Sequence, residues 1–449
     1  MTGRAHQTIA NRACGVSSVS KVRNYFRQKY GGGVNLSLLE NVDIQTHHHN
    51  GSMTCLDIDI IDGRYLLSGA VDGHVSVYDV SAVENYGKDS TGEKFTTKIP
   101  HSIPPVACSK KQEVQSAPSS HSHMISSAQW YPIDTGIFVS ACMGGLVNLW
   151  DTNCMSVVAQ FRIGNRINAC RMSTVAKHHN LIAVGCNEST VRLCDIRTSS
   201  HNHVLQGHRG EILSLAWSPV DEFIIATGSN DCSLRLWDIR SSGLKACTYI
   251  YDLHDTKGIR HRASMIKDFF DGGIVNNQRN GTRSQHQASL RVVDRGFDSI
   301  SNFRHNRSRQ RSSKKVANQG YITSHVKGVK SVEYTPDGLF LVSCCANNIT
   351  LWDTYMGTNQ LIHYPDFKAS YCGKSSPLKV LQPGKSYDAH IVAPINKSGD
   401  IVLYKLHQGS IAARLQGHYE TVTDIVIRDM GGSLQLFSSS QDGNILVWH

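Results

Sequence analysis

A chain of 449 residues and 49.6 kDa with 40% hydrophobic and 18% charged residues can bury a sizeable core, and without a run of roughly eighteen apolar residues it offers no membrane span. Thirteen cysteines, an odd number with no C-x-x-C pair, argue against a disulfide framework or a zinc cage and fit small buried hydrophobes in a reducing compartment, cytosolic or nuclear. The net charge of +10 is uneven: residues 257–315 hold 14 Lys+Arg against 4 Asp+Glu, and Arg4, Arg12, Lys21, Arg23, Arg27 and Lys29 have no acid among them, which leaves the remainder net −6.

The first thirty residues lack the apolar stretch of a secretory signal. Within SVSKVRNYFRQKY (18–30), Val22, Tyr25 and Phe26 stand at i, i+3 and i+4, the spacing of a short amphipathic helix. Gly31–Gly33 cut that helix off and read as a flexible joint, since no lysine follows them at phosphate-loop spacing. His47, His48 and His49 could suggest a metal site, but neighbours on a strand point to opposite faces, and the favoured reading gives His49 a structural role pinning the first repeat and leaves the other two solvated.

From residue 49 onward one frame recurs: three alternating apolar runs separated by turn signals. The first unit is 49–80, with Asp72 seven residues before Asp79, and the second, 123–152, ends in Trp150-Asp151 with Gly144 at the turn. The third, 170–197, ends in VRLCDIR with Glu188 at the turn. The fourth, GHRGEILSLAWSPVDEFIIATGSNDCSLRLWDIR (207–240), runs from Gly207-His208 to Trp237-Asp238. The fifth, 325–354, ends in Trp352-Asp353 with Ala346 at the turn, and a degenerate sixth ends in DIVLYKL (400–406). The seventh, 417–449, restores Gly417-His418, Asp442 and Trp448.

These units resemble WD repeats, in which a loop His, a tight-turn Asp, a strand Ser or Thr and the Trp form one hydrogen-bonded set. By that resemblance His208, Thr227, Asp231 and Trp237 fill the set in the fourth unit, and His418, Asp442 and Trp448 in the last. Seven units imply an all-β fold, a seven-bladed WD40 β-propeller over 36–449, with a short helical N-terminal extension over 1–35. The chain reaches its end at the third strand of the seventh blade, so LSLLENVDI (36–44) is expected to supply the fourth and close the ring. Two long intervals carry extra material: a loop near 83–122, and a basic insertion over 241–320 whose low hydrophobicity predicts disorder. Within the latter, RQRSSKK (309–315) reads equally as a nuclear import signal, a nucleic-acid contact or a solvated loop.

No catalytic arrangement is present: there is no G-x-x-x-x-G-K-[ST], no G-x-S-x-G and no H-E-x-x-H, and no catalytic, cofactor or metal residue is expected. Paired His178 and His179 read as turn residues.

WYPIDTG (130–136), RLCDIR (192–197), LQGHRGEIL (205–213), LQGHYETV (415–422) and GRYLLSGAVDG (63–73) narrow the resemblance. Together they look like the Cockayne syndrome group A family of WD-repeat excision-repair proteins, its longer plant-type form in particular. That resemblance implies a nuclear, non-enzymatic substrate receptor of a cullin-4 RING ubiquitin ligase. It would dock on the damaged-DNA-binding protein adaptor and recruit a Cockayne syndrome group B-type remodelling ATPase and the stalled transcription machinery. Trp237-Asp238-Ile239-Arg240 matches the W-D-x-R box of adaptor-bound WD proteins, and Cys194-Asp195-Ile196-Arg197 is a weaker copy. Adaptor contacts are thereby expected at Arg240, Asp238 and Arg197, and at Val22 and Phe26 of the N-terminal helix. The bland reading of the box is a local Asp238–Arg240 pair bracing a turn. The competing function is a chromatin- or RNA-associated scaffold contacting nucleic acid weakly through the basic insertion, and a propeller enzyme ranks last.

Overall fold

The computed structural model describes residues 36, 38–39, 43–46, 49, 51–83, 102–109, 121–241, 243–254, 323–369, 377–382, 389–395, 399–429 and 434–449. They build seven antiparallel blades in chain order, the seven-bladed propeller that the repeats imply. The innermost strands are Met53–Ile58, Ile125–Trp130, Ile167–Met172, Ile212–Trp217, Ser331–Tyr334, Lys379–Leu381 and Val422–Asp429. The helix expected within 1–35 and the bulk of the basic insertion lie outside the described residues.

The fourth blade illustrates why the sequence folds this way. Its strands are Ile212–Trp217, Ile224–Ser229, Leu234–Asp238 and Cys247–Ile250. Every residue of the first is buried, as befits a strand walled by the channel and two neighbouring blades, and Leu213, Leu215 and Trp217 alternate with Ile212, Ser214 and Ala216. Antiparallel pairing puts the loops after the first and third strands on one rim and the second-to-third turns on the other.

Two boundaries differ from the expectation. Cys247–Ile250 is the fourth strand of blade four, so the insertion does not begin at 241. Its buried Cys247, Tyr249, Ile250 and Tyr251 were masked by the polar, basic stretch that follows. Likewise Pro105–Cys108 completes blade one within the loop near 83–122. A proline is tolerated there because the outermost strand has a free edge.

The ring seam is the third difference. Leu38 forms an antiparallel bridge with Trp448, and the Leu39 amide donates to the Val447 carbonyl at 3.0 Å. Asp43–Ile44 pair instead, in parallel, with Ser102–Ile103, so the expected ladder over 36–44 is split between two partners. Side chains add to the seam. The Asp424 carboxylate accepts the Leu56 amide at 2.9 Å, Arg428 Nη1 donates to the Val80 carbonyl at 3.3 Å, and Gln435 Nε2 donates to Val83 at 3.1 Å. Asp57 accepts the Trp130 amide at 2.7 Å and Gln129 accepts that of Met172 at 2.7 Å, so polar side chains of the inner strands staple blade seven to one, one to two and two to three.

Candidate protein-binding rim

Each well-formed blade is pinned by a buried relay. In blade four, Asp231 Oδ2 accepts from His208 Nδ1 at 3.0 Å, which makes Nε2 the acceptor of the Thr227 hydroxyl at 2.6 Å. Thr227 Oγ1 in turn accepts from Trp237 Nε1 at 2.7 Å. Burial holds His208 below its usual pKa, and hydrogen bonds from His208, Ser233 and the Arg209 amide hold Asp231 well below the carboxylate range, so the relay carries one negative charge and a neutral ring. Blade seven repeats it with His418, Asp442, Ser438 and Trp448 at 3.1, 2.8 and 2.8 Å. His49 reaches Ser68 at 3.3 Å in blade one.

Blades two and five keep only the inner half. His121 meets Ser140 at 2.6 Å, and Trp150 donates to that hydroxyl at 2.7 Å; His325, Ser343 and Trp352 do the same at 2.7 and 2.8 Å. With Gly144 where an Asp would stand, His121 Nδ1 is buried without a partner. The pinning residue is therefore His121, two residues before the unit boundary read from the sequence at 123. These relays brace the turns and leave no reactive group exposed.

The opposite rim carries Arg240. Its guanidinium grips Asp238 with two prongs, Nε to Oδ1 at 2.9 Å and Nη2 to Oδ2 at 2.7 Å, and lies 5.0 Å over the Phe223 ring. The side chain nevertheless remains 58% exposed. Arg197 follows the third strand of blade three, so it emerges on the same rim, exposed, with its backbone amide on Asp195 and no side-chain partner among the described residues. Paired His178 and His179 are no idle turn: the Glu222 carboxylate from blade four accepts the Lys177 and His178 amides at 2.6 and 2.9 Å, and those contacts, with the His178 ring, lower its pKa to about 2. That latch, invisible in a one-dimensional pattern, joins the two blades that bear the arginines. Trp448, which Leu38 bridges, occupies the place in blade seven that Trp237 has in blade four, so Leu38 stands toward this rim as well.

Four segments, 41–79, 199–238, 317–353 and 409–449, match the WD domain, G-beta repeat family, and they correspond to blades one, four, five and seven. Over 410 residues the chain is 30% identical to WD repeat-containing protein ATCSA-1 of Arabidopsis thaliana, covering 89% of this chain and 86% of that protein. The chain belongs to the Cockayne syndrome group A family of WD-repeat proteins. Shorter likenesses within the family's repeat architecture are to Radiation-sensitive protein 28 of Saccharomyces cerevisiae, 30% identical over 24% of this chain and 22% of that protein. WD repeat-containing protein 91 of Gallus gallus is 29% identical over 41% of this chain and 24% of its own length. This Cockayne syndrome group A family member is a WD40 scaffold, a fold that typically presents surfaces to other proteins.

Proposed function

We propose that the chain is the substrate-recognition subunit of a cullin-4 RING ubiquitin ligase acting in transcription-coupled nucleotide excision repair in the nucleus. The observation that carries the reading is the Arg240 rim. The W-D-x-R arginine is exposed despite its pair with Asp238, Arg197 stands one blade away, and Leu38 of the closing segment bridges Trp448 toward the same side. A planar guanidinium so presented can add a carbonyl or carboxylate of a partner to its existing fork. The damaged-DNA-binding protein adaptor would take this rim, and the remaining surface would receive the group B-type remodelling ATPase and the stalled transcription machinery. Affinity purification of the tagged chain from cells before and after ultraviolet damage tests this. The adaptor should co-purify in both states and transcription-repair factors chiefly after damage; recovery of neither overturns the reading.

A second reading, a nuclear scaffold for chromatin or RNA-associated proteins, draws on the 14 Lys+Arg of residues 257–315. It requires nucleic-acid binding that weakens steeply with salt and disappears when that segment is removed.

A further inference from the structure

The wider part of the central channel opens on the rim that carries Arg240, as a cavity of about 480 Å³, within the range of pockets that bury ligand groups. Strand register gives it two layers. Ile58, Trp130, Met172, Trp217 and Tyr334 stand at one level and form an apolar neck toward the rim. One residue deeper, Asp57, Gln129, Arg171, Glu333 and Lys379 share a level and form a polar ring with two charges of each sign.

The polar groups of the ring are unequally served. Lys379 Nζ lies 3.7 Å from Glu333 Oε1, so that pair is self-contained. Gln129 spends its amide on the Met172 backbone, accepting from the amide at 2.7 Å and donating to the carbonyl at 3.4 Å. Asp424, in the layer above, gives its two oxygens to the Leu56 and Ile425 amides. Asp57 and Arg171, both half-buried, are left with free edges. Asp57 gives Oδ2 to the Trp130 amide, and its Oδ1 has no partner among the described residues. Arg171 donates through Nη1 to Ser127 Oγ at 2.9 Å and to the Cys170 carbonyl at 3.3 Å, and its Nε and Nη2 have none among them. The two side chains belong to blades one and three, and no ion pair joins them. In the neck, Trp130 Nε1 and the Tyr334 hydroxyl are also buried without a partner.

A carboxylate and a guanidinium with unspent edges in an enclosed site call for a polar occupant. A lone cation would serve Asp57 and be repelled by Arg171, and a lone anion the reverse. A group of both signs serves both: an ammonium beside Asp57, and a carboxylate on the planar fork of Arg171. Each end of a peptide carries one sign, whereas a free α-amino acid carries both on one carbon. The neck then takes its side chain, which has to be apolar.

We propose that the channel binds one free α-amino acid with an apolar side chain, its ammonium on Asp57, its carboxylate on Arg171 and its side chain among Trp130, Trp217 and Tyr334. The site is built by the channel alone and does not depend on adaptor docking at the rim.

Isothermal titration of the full-length chain with leucine, phenylalanine and tryptophan tests this. At least one of them should bind saturably in a one-to-one ratio. The decarboxylated and deaminated analogues of that amino acid, and glycine, should each bind about tenfold more weakly or worse, having lost a charge-assisted hydrogen bond or the apolar side chain. Asp57→Asn keeps an acceptor for the Trp130 amide and so the fold, checked by its melting temperature, and should lose affinity by about tenfold or more. Saturable binding of none of the three, an analogue of one sign or glycine binding as tightly as the amino acid, or undiminished affinity in the folded Asp57→Asn chain each overturn the proposal.

Discussion

Arg240 Nη2 sits 2.7 Å from Asp238 Oδ2 while its side chain stays 58% exposed, so one pair serves as both a turn brace and a presented cation. Exposed pairs add little to stability. Arg240→Ala should therefore leave the melting temperature nearly unchanged while weakening adaptor binding about tenfold. Arg240→Lys should not restore binding, because an ammonium lacks the planar fork. Calorimetry on the variant beside an adaptor titration checks both halves.

The relays predict graded sensitivity between blades. Thr227→Ala leaves the ring of His208 and the indole of Trp237 buried without their shared oxygen, and should cost about 2–3 kcal/mol in urea unfolding. In the same turn Cys232 takes φ +68, where blades one and seven place Gly73 and Gly443 at +84 and +83. Cys232→Gly should relieve about 1 kcal/mol of left-handed strain.

Acid should destabilise the propeller through its buried histidines. Burial lowers His121 and His325 to about 4 from an unfolded value near 6.5, so between those limits the unfolded chain binds more protons. The stability of keeping each ring neutral is present above pH 6.5 and lost as pH falls toward 4, on the order of 3 kcal/mol per ring. His121→Phe should flatten the pH dependence of the urea midpoint across that window; an unchanged slope contradicts the assignment.

Asp57 works in the opposite sense. Desolvation on the channel wall raises it to about 6, above its unfolded value, so its ionisation costs stability at neutral pH and that cost fades as pH falls through 6 toward 4. Asp57→Asn keeps an acceptor for the Trp130 amide without the charge. It should raise the melting temperature at pH 7.5 and lose that advantage at pH 4.5.

The basic insertion leaves and rejoins the propeller at one point, where the Leu253 amide donates to the Thr323 carbonyl at 3.0 Å and Ser324 Oγ bonds the Tyr251 carbonyl at 2.6 Å. Replacing residues 255–322 by a short Gly-Ser linker should preserve folding and melting, since loop length adds only slowly to closure entropy. Any salt-dependent nucleic-acid affinity should vanish with it; affinity that survives removes the insertion from that role.

These residues also mark how far the sequence could be read. The blade count and the His208–Thr227–Asp231–Trp237 set were legible because a turn Asp seven residues before a strand-ending Trp-Asp is a local signal. His121 was not, because HSH offers two histidines and only the Ser140 hydroxyl across the blade selects one. The outer strands Pro105–Cys108 and Cys247–Ile250 hid in polar surroundings that dilute a four-residue alternation. Asp57 and Asp424 carry no local signal of their role, since their partners Trp130 and Leu56 lie 73 and 368 residues away. Side chains that join blades follow from closure of the ring, which no single repeat encodes.

Docking of the ligase adaptor on the Arg240 rim is measured most directly as the affinity of the purified chain for the purified adaptor. Titrations would compare the natural sequence with Arg240→Ala and with Arg240→Ala/Arg197→Ala lacking residues 1–35. Tight binding is expected for the natural sequence, with about tenfold weakening by the single substitution and near-complete loss in the combined variant, whose propeller still melts cooperatively. Undiminished binding by the folded combined variant contradicts it.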